Sequence, residues 1–278
     1  MNNDQFLAEM IALCEYKYHR FERVQKATLE MLRIFSDICY SYDIPFFIVY
    51  GTLLGLKRDS GYIPWDYDAD VAIPYEYVDK VHKCLQHMLP KEFYYISDRT
   101  SNEFPYYQIR ICKKGFNDNI HLDIFYMFGL NSNESKRTKI MKEMKLCFKL
   151  RKVVIESKQR IHTVKTASSL FAKKIIGLFF KINTLNKYMN RICSLYTYDQ
   201  ASYVSFVFHE DFVFEKTVFG KPVEDCTLGF RSMIPEDSER YLTEYYGEWK
   251  SYFPIEKRRH EFEHLYVELD RKTNLDLL

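Results

Sequence analysis

Residues 50–74 read YGTLLGLKRDSGYIPWDYDADVAIP: an apolar stretch that starts at a glycine, a punctuated loop, and an apolar strand entered through three aspartates. Asp66, Asp68 and Asp70 occupy every second position. On an extended backbone residues two apart point the same way, so Asp68 and Asp70 offer two carboxylates to one face of a buried strand. Like charges that close are costly unless a cation lies between them. A hard divalent cation takes oxygen ligands and bridges carboxylates to phosphate oxygens, so the spacing implies phosphate chemistry; a solvated turn is the alternative.

The surrounding residues extend that reading. Gly51 lets backbone approach a phosphate closely, Thr52 offers a hydroxyl, and a helix beginning there points N–H groups at an anion. Lys57 and Arg58 supply charge to neutralise phosphate. Asp123 lies within HLDIFYMF (121–128), where a charged side chain has no packing reason to be, unless the strand is an edge. With Asp68 and Asp70 it makes a two-strand carboxylate set for a metal ion.

The chain of 278 residues, 47% hydrophobic and 28% charged, is long enough to bury a core. Its 23 Tyr and 22 Phe against 9 Gly predict an aromatic-lined, rigid interior. Seven scattered cysteines without a C-x-x-C pair argue against a disulfide framework or zinc ribbon, and for a reducing compartment. The start, MNNDQFLAEM, lacks signal-peptide character, and no run reaches the roughly 18 apolar residues of a spanning helix. The expectation is a cytoplasmic protein, or one peripheral at the inner face of a membrane.

Net charge is only +2, yet Lys136–Lys181 holds fourteen Lys or Arg against Glu143 and Glu156, so this block carries +12 and the remainder −10. Such a block wants an anionic partner. Within it, SSLFAKKIIGLFFKINTL (168–185) places Leu170, Phe171, Ile175, Leu178, Phe179 and Ile182 on one helical side, with Lys173, Lys174 and Lys181 nearby. That pattern suits an interfacial helix on an anionic membrane surface, or a core helix with a solvated basic flank. No nucleic-acid motif accompanies the charge.

Periodicity predicts one or two helices from Asn3 to about Tyr42, a strand in DIPFFIVYG (43–51), a brief helix, a strand at ADVAI (69–73), and a helix opened by Pro74. Further strands are expected at EFYYIS (92–97), YYQIRIC (106–112) and HLDIFYMF, then basic helices to about Tyr198. Short strands at YVSFVF (203–208) and FVFEKTVFG (212–220) and two helices complete the chain. The fold class is mixed α/β, in three parts: 1–130 with N-terminal helices and the catalytic core, 131–200 basic and helical, and 201–278 completing the site.

GTLLGLKRDSGYIPWDYDADVAIP resembles the signature of the LicD family, G-T-L-L-G-x-x-R-x-x-G-x-I-P-W-D-D-D-x-D. HLDIFYMFGL is similar to its I-D-I-F segment, and YLTEYYGEWKSYFPIEKRRHE (241–261) to its C-terminal Y-x-x-Y-G-x-W, proline, basic residues and histidine. The resemblance covers about Glu30 to His260. It implies a nucleotidyltransferase-like core with added helices. The implied activity is metal-dependent transfer of a phosphorylated alcohol, usually phosphocholine, from CDP-choline or a related CDP-alcohol to a cell-surface, lipid-linked glycan precursor.

In that frame Asp68, Asp70 and Asp123 hold magnesium, with manganese as the alternative, and Asp66 is a further ligand or a base. Arg58 and Arg110 are the choices for clamping phosphate, with Arg110 equally readable as a strand-edge charge; His260 reaches donor or acceptor or is a surface histidine; and Trp65, Tyr75 and Tyr77 stack a cytosine or enclose a quaternary ammonium, or belong to the core. Tyr67 stands where the family often has aspartate, and the cysteine-based zinc element of the fukutin-related proteins has no counterpart. The competing readings are a D-x-D glycosyltransferase using a nucleotide sugar and a silent membrane-surface scaffold.

Overall fold

The computed structural model describes residues 3–116, 119–157, 173, 175–207 and 212–272. Its centre is β5 (His121–Leu130), ten residues all buried. A strand covered on both faces has no reason to alternate polar and apolar side chains, which explains its continuous apolar run. β2 (Ala69–Pro74) pairs with it in parallel, from Ala69 opposite Leu122 to Pro74 opposite Met127. On the other edge β4 (Gln108–Lys113) pairs antiparallel with the first half, and β6 (Tyr203–Phe206) with the second. β1 (Phe47–Ile48) extends the sheet beyond β2, β3 (Phe93–Ser97) beyond β4, and β7 (Val213–Glu215) beyond β6.

Helices cover this mixed sheet. α1 (Asn3–Ser41) is one continuous helix in place of an expected one or two, and Val24, Ala27, Met31, Phe35 and Ile38 repeat at helical spacing along its buried side. α2 (Tyr50–Arg58) and α3 (Val78–Met88) flank β2 in the chain. α4 (Glu134–Glu156) packs beside α5 (Ile182–Cys193). The stretch 212–220, expected as a strand, is β7 followed by the short α6 (Lys216–Phe219), which Gly220 ends at φ +49. Val223–Asp225 and Ser232–Ile234 form a separate hairpin, β8 and β9, that the charged sequence there did not suggest. α7 (Ser238–Tyr246) and α8 (Ile255–Lys272) close the chain.

A polar network is buried on the sheet face away from the β2 aspartates. Asp98, 3% exposed at the end of β3, accepts the Tyr126 hydroxyl at 2.9 Å. Arg151 of α4 is fully buried, donating to Asn186 Oδ1 at 2.9 Å and the Phe104 carbonyl at 2.8 Å, while Asn186 donates to the Asp98 carbonyl. Burial lifts the Asp98 carboxyl to about 6, against the lowering effects of Tyr126 and Arg151. A raised carboxylate favours the protonated native state, so its contribution to stability is present below about pH 4 and lost as pH rises through about 6. We expect Asp98→Asn to remove a drop of about 3 kcal/mol across that window. Urea unfolding at both pH values checks this, and parallel wild-type and variant curves would refute it.

Candidate active site

The three aspartates gather around the first turn of α2. Tyr50 adopts a left-handed conformation, φ +50, which costs a non-glycine residue about 1–3 kcal/mol. Its N–H donates to the Tyr241 hydroxyl at 3.2 Å, and its ring packs on Phe125, Phe206 and Tyr245, which holds the turn in place. Thr52 Oγ1 then accepts the Asp70 N–H at 2.8 Å, and the Val49 N–H bonds the Asp70 carbonyl, tying the helix start to β2. α1 anchors the loop from the other side. Gln25 donates to the carbonyls of Ile63 and Asp66, and Thr28 to that of Tyr67.

Gly51 is required here by space. A Cβ added to it would lie 2.7 Å from Asp66 Oδ2, so the carboxylate rests directly on the glycine. Gly51→Ala is therefore expected to swing Asp66 aside while leaving the backbone in place. Activity should fall about a hundredfold with little change in Tm, because misplacement of about 1 Å has that cost. Coupled loss of both would show that the glycine serves folding instead. Gly55, by contrast, faces the Gly61 carbonyl at 2.6 Å and the Ile63 nitrogen at 2.8 Å, so there a side chain would collide with backbone.

The carboxylates are crowded. Burial, then Asp68, which is within hydrogen-bonding reach, push the Asp66 carboxyl well above the usual range, partly opposed by the Tyr67 N–H at 3.0 Å. Burial, Asp68, Asp123 and Asp66 raise Asp70, with Arg110 opposing. Burial and all three aspartates raise the phenols of Tyr62 and Tyr246, and burial with Asp70 lifts Tyr245 to about 12. The site thus crowds carboxylates beside phenols that remain protonated donors. A divalent cation would relieve this kind of repulsion, and the carboxylate oxygens of Asp68 and Asp70 are the donor chemistry a hard one takes.

Asp123 occupies the same sheet row. It stands opposite Asp70 on one side and opposite Arg110 on the other. Arg110 grips it in a fork, Nε to Oδ1 at 2.7 Å and Nη2 to Oδ2 at 2.9 Å, and His121 Nε2 lies 3.7 Å from Oδ2. Among the described residues no three His, Cys, Asp or Glu side chains converge as a ready-made metal cluster. Arg110, expected as a phosphate clamp, is committed to Asp123, and both oxygens of Asp123 are engaged by it.

Other expected residues are placed differently. Lys57 is exposed at 3.8 Å from Asp225. Arg58 is held by Asp59, with Nη2 to Oδ2 at 3.0 Å, and lies over the Tyr252 ring at 4.6 Å and the Trp65 ring at 5.8 Å. Trp65 is buried, so it walls the site instead of offering an open stacking face. Tyr75 bonds Tyr107 within the core, and Tyr77 lines a cavity of about 570 Å³ with Pro45, Pro74 and Tyr198, at the end of β2 away from Asp70. His260 is exposed and stacks on His264, whereas Arg258, two residues earlier, is buried over Tyr252 and Trp65. Sequence reading singled out none of Arg258, Tyr62, Tyr245, Tyr246 and Gln25, although all but Gln25 lie inside the quoted stretches 50–74 and 241–261.

Residues 43–166 match the family model described as LicD/FKTN/FKRP, nucleotidyltransferase domain. That span contains the whole aspartate loop and the strands β1 to β5. The chain is similar to the lipopolysaccharide cholinephosphotransferase LicD of Haemophilus influenzae, 22% identical over 87% of this chain and 96% of that protein. It is also similar to an uncharacterized protein of Rickettsia prowazekii, 31% identical over 38% of each chain. The span matched to the LicD/FKTN/FKRP nucleotidyltransferase domain thus holds the aspartate site, and the longer similarity, to a LicD protein, runs through most of both chains.

Proposed function

We propose that this chain transfers a phosphorylated alcohol, phosphocholine foremost, from a CDP-activated donor to a hydroxyl of a cell-surface glycan precursor, releasing CMP. The observation that carries the reading is the crowding of Asp66, Asp68 and Asp70 around the first turn of α2, inside the span shared with the LicD family. The similarity to a lipopolysaccharide cholinephosphotransferase supports the choice of alcohol and acceptor.

In the proposed step the acceptor oxygen attacks the distal phosphorus in line, a new P–O bond forms, and the P–O bond to CMP breaks. Asp66 takes the acceptor proton, since its crowded carboxylate favours protonation. Asp68 and Asp70 would hold magnesium, or manganese in its place, which when bound neutralises charge on the pyrophosphate. Asp123 serves by fixing Arg110 in the same row, and the phenols of Tyr62 and Tyr246 remain protonated beside the aspartates. Arg58 and Arg258, beside Trp65, are the cations toward the donor phosphates.

Calorimetry with CDP-choline, CDP-ribitol, CDP-glycerol and CDP-ethanolamine in magnesium, followed by CMP release with an oligosaccharide acceptor, tests the proposal. Arg258→Ala is expected to weaken donor binding about tenfold, and His260→Ala to leave it within about twofold. Release of UDP or GDP from nucleotide sugars, with no turnover of any CDP-alcohol, would overturn it in favour of glycosyl transfer.

A further inference from the structure

Two adjacent large apolar side chains, Leu178 and Phe179, stand 80% and 78% exposed just ahead of α5, with Ile175 and Phe180 also partly in water. Clustered exposure of that kind marks an interaction surface. α5 buries Ile182, Leu185, Met189 and Ile192, so its outer side carries Lys187, Tyr188 and Arg191 and runs out at exposed Leu195. Beside it, α4 and α5 enclose a groove of about 370 Å³ whose charged lining is Lys136, Lys139 and Arg191 against Glu143. Glu143 accepts the Tyr188 hydroxyl at 2.9 Å and lies 4.0 Å from Lys139 Nζ, which leaves Lys136 and Arg191 as the further cations of the lining.

We propose that this face docks on an anionic bilayer, with Leu178 and Phe179 entering the interfacial layer and the Lys136, Lys139 and Arg191 groove taking a lipid phosphate. Charge selects the occupant. An apolar tip followed along the chain by exposed Lys181, Lys187 and Arg191, and closing a block of fourteen cations and two acids, matches an apolar layer under anionic headgroups. No helix among the described residues is long and apolar enough to cross a membrane, so on these residues the attachment lies along the surface. The structure also corrects the expected inserting set, because Ile182 belongs to the core. Leu170, Phe171 and Lys174 lie outside the described residues.

The inference stands apart from the transfer reaction, since vesicle binding is measured without any donor. The full chain is sedimented with vesicles of phosphatidylcholine alone and of phosphatidylcholine with phosphatidylglycerol. Binding to the anionic vesicles is expected, weaker binding to the neutral ones, and loosening at about 0.5 M salt. Leu178→Ser with Phe179→Ser should reduce binding at least about tenfold. Lys139→Glu with Arg191→Glu should do the same and carries the test should the serine variant misfold, as circular dichroism would reveal. Calorimetric binding of CDP-choline to both variants should stay as in the parent. Absence of binding at low salt, equal binding to both vesicle types, or variants that bind like the parent would each overturn the proposal.

Discussion

Asp70→Asn is expected to lower CMP release about a thousandfold while raising the Tm of the protein in chelator. Both effects follow from one property of the site. The half-buried Asp70 carboxylate is crowded by Asp68, Asp123 and Asp66, so its charge is unfavourable to the fold and useful only when a cation or a phosphate clamp compensates it. Asparagine keeps the shape and the N–H bond to Thr52, and it removes the charge. The loss of about 4 kcal/mol of transition-state stabilisation corresponds to the thousandfold figure. Rate assays with saturating magnesium and thermal melts in chelator check the two halves. Near-native CMP release would remove Asp70 from the site, and a lowered Tm would mean that its charge supports the fold.

Arg110→Ala should cost about 3–5 kcal/mol, the largest stability effect we expect from a single change in this protein. The Arg110 and Asp123 side chains are 10% and 11% exposed, so deleting one leaves the other as a buried unpaired charge. Here the penalty has a second source. Without the guanidinium, Asp123 faces Asp70 across the β2–β5 pair with no cation in the row. Asp70→Asn should therefore recover part of the Arg110→Ala loss, a coupling that a double-mutant cycle in urea would measure. The isosteric Arg110→Met with Asp123→Leu should be close to neutral in stability. Independent, additive costs would show that the row does not act as a unit.

Much of the site was legible from residues 50–74. The apolar run after the aspartates marks β2, although only Asp70 lies on it and Asp66 and Asp68 stand in the loop ahead, and a glycine beside an apolar helix pattern reports a close approach; both are local properties of the backbone. The β-strand core was legible for the same reason, since β5 is an apolar run that only burial on both faces explains. What local pattern does not carry is which distant group meets which. Arg110 reads equally as a clamp or an edge charge until antiparallel register sets it opposite Asp123.

The same limit separates Arg258 from His260. Two residues apart on a helix means nearly opposite sides, and the packing of α8 against Trp65 and Tyr252 chose the arginine for the interior. Ile182 changed sides too: its own segment fits an outward apolar face, and the docking of α5 on α4 turned it into the core. Spacing along the chain thus established the strand and the helix start, because these depend on dihedrals and nearest neighbours. Ion-pair partners, helix phase and the phenols around the carboxylates depend on register and packing between segments tens to hundreds of residues apart, as when Gln25 of α1 holds the Asp66 carbonyl. Those pairings exist only once the chain has closed on itself.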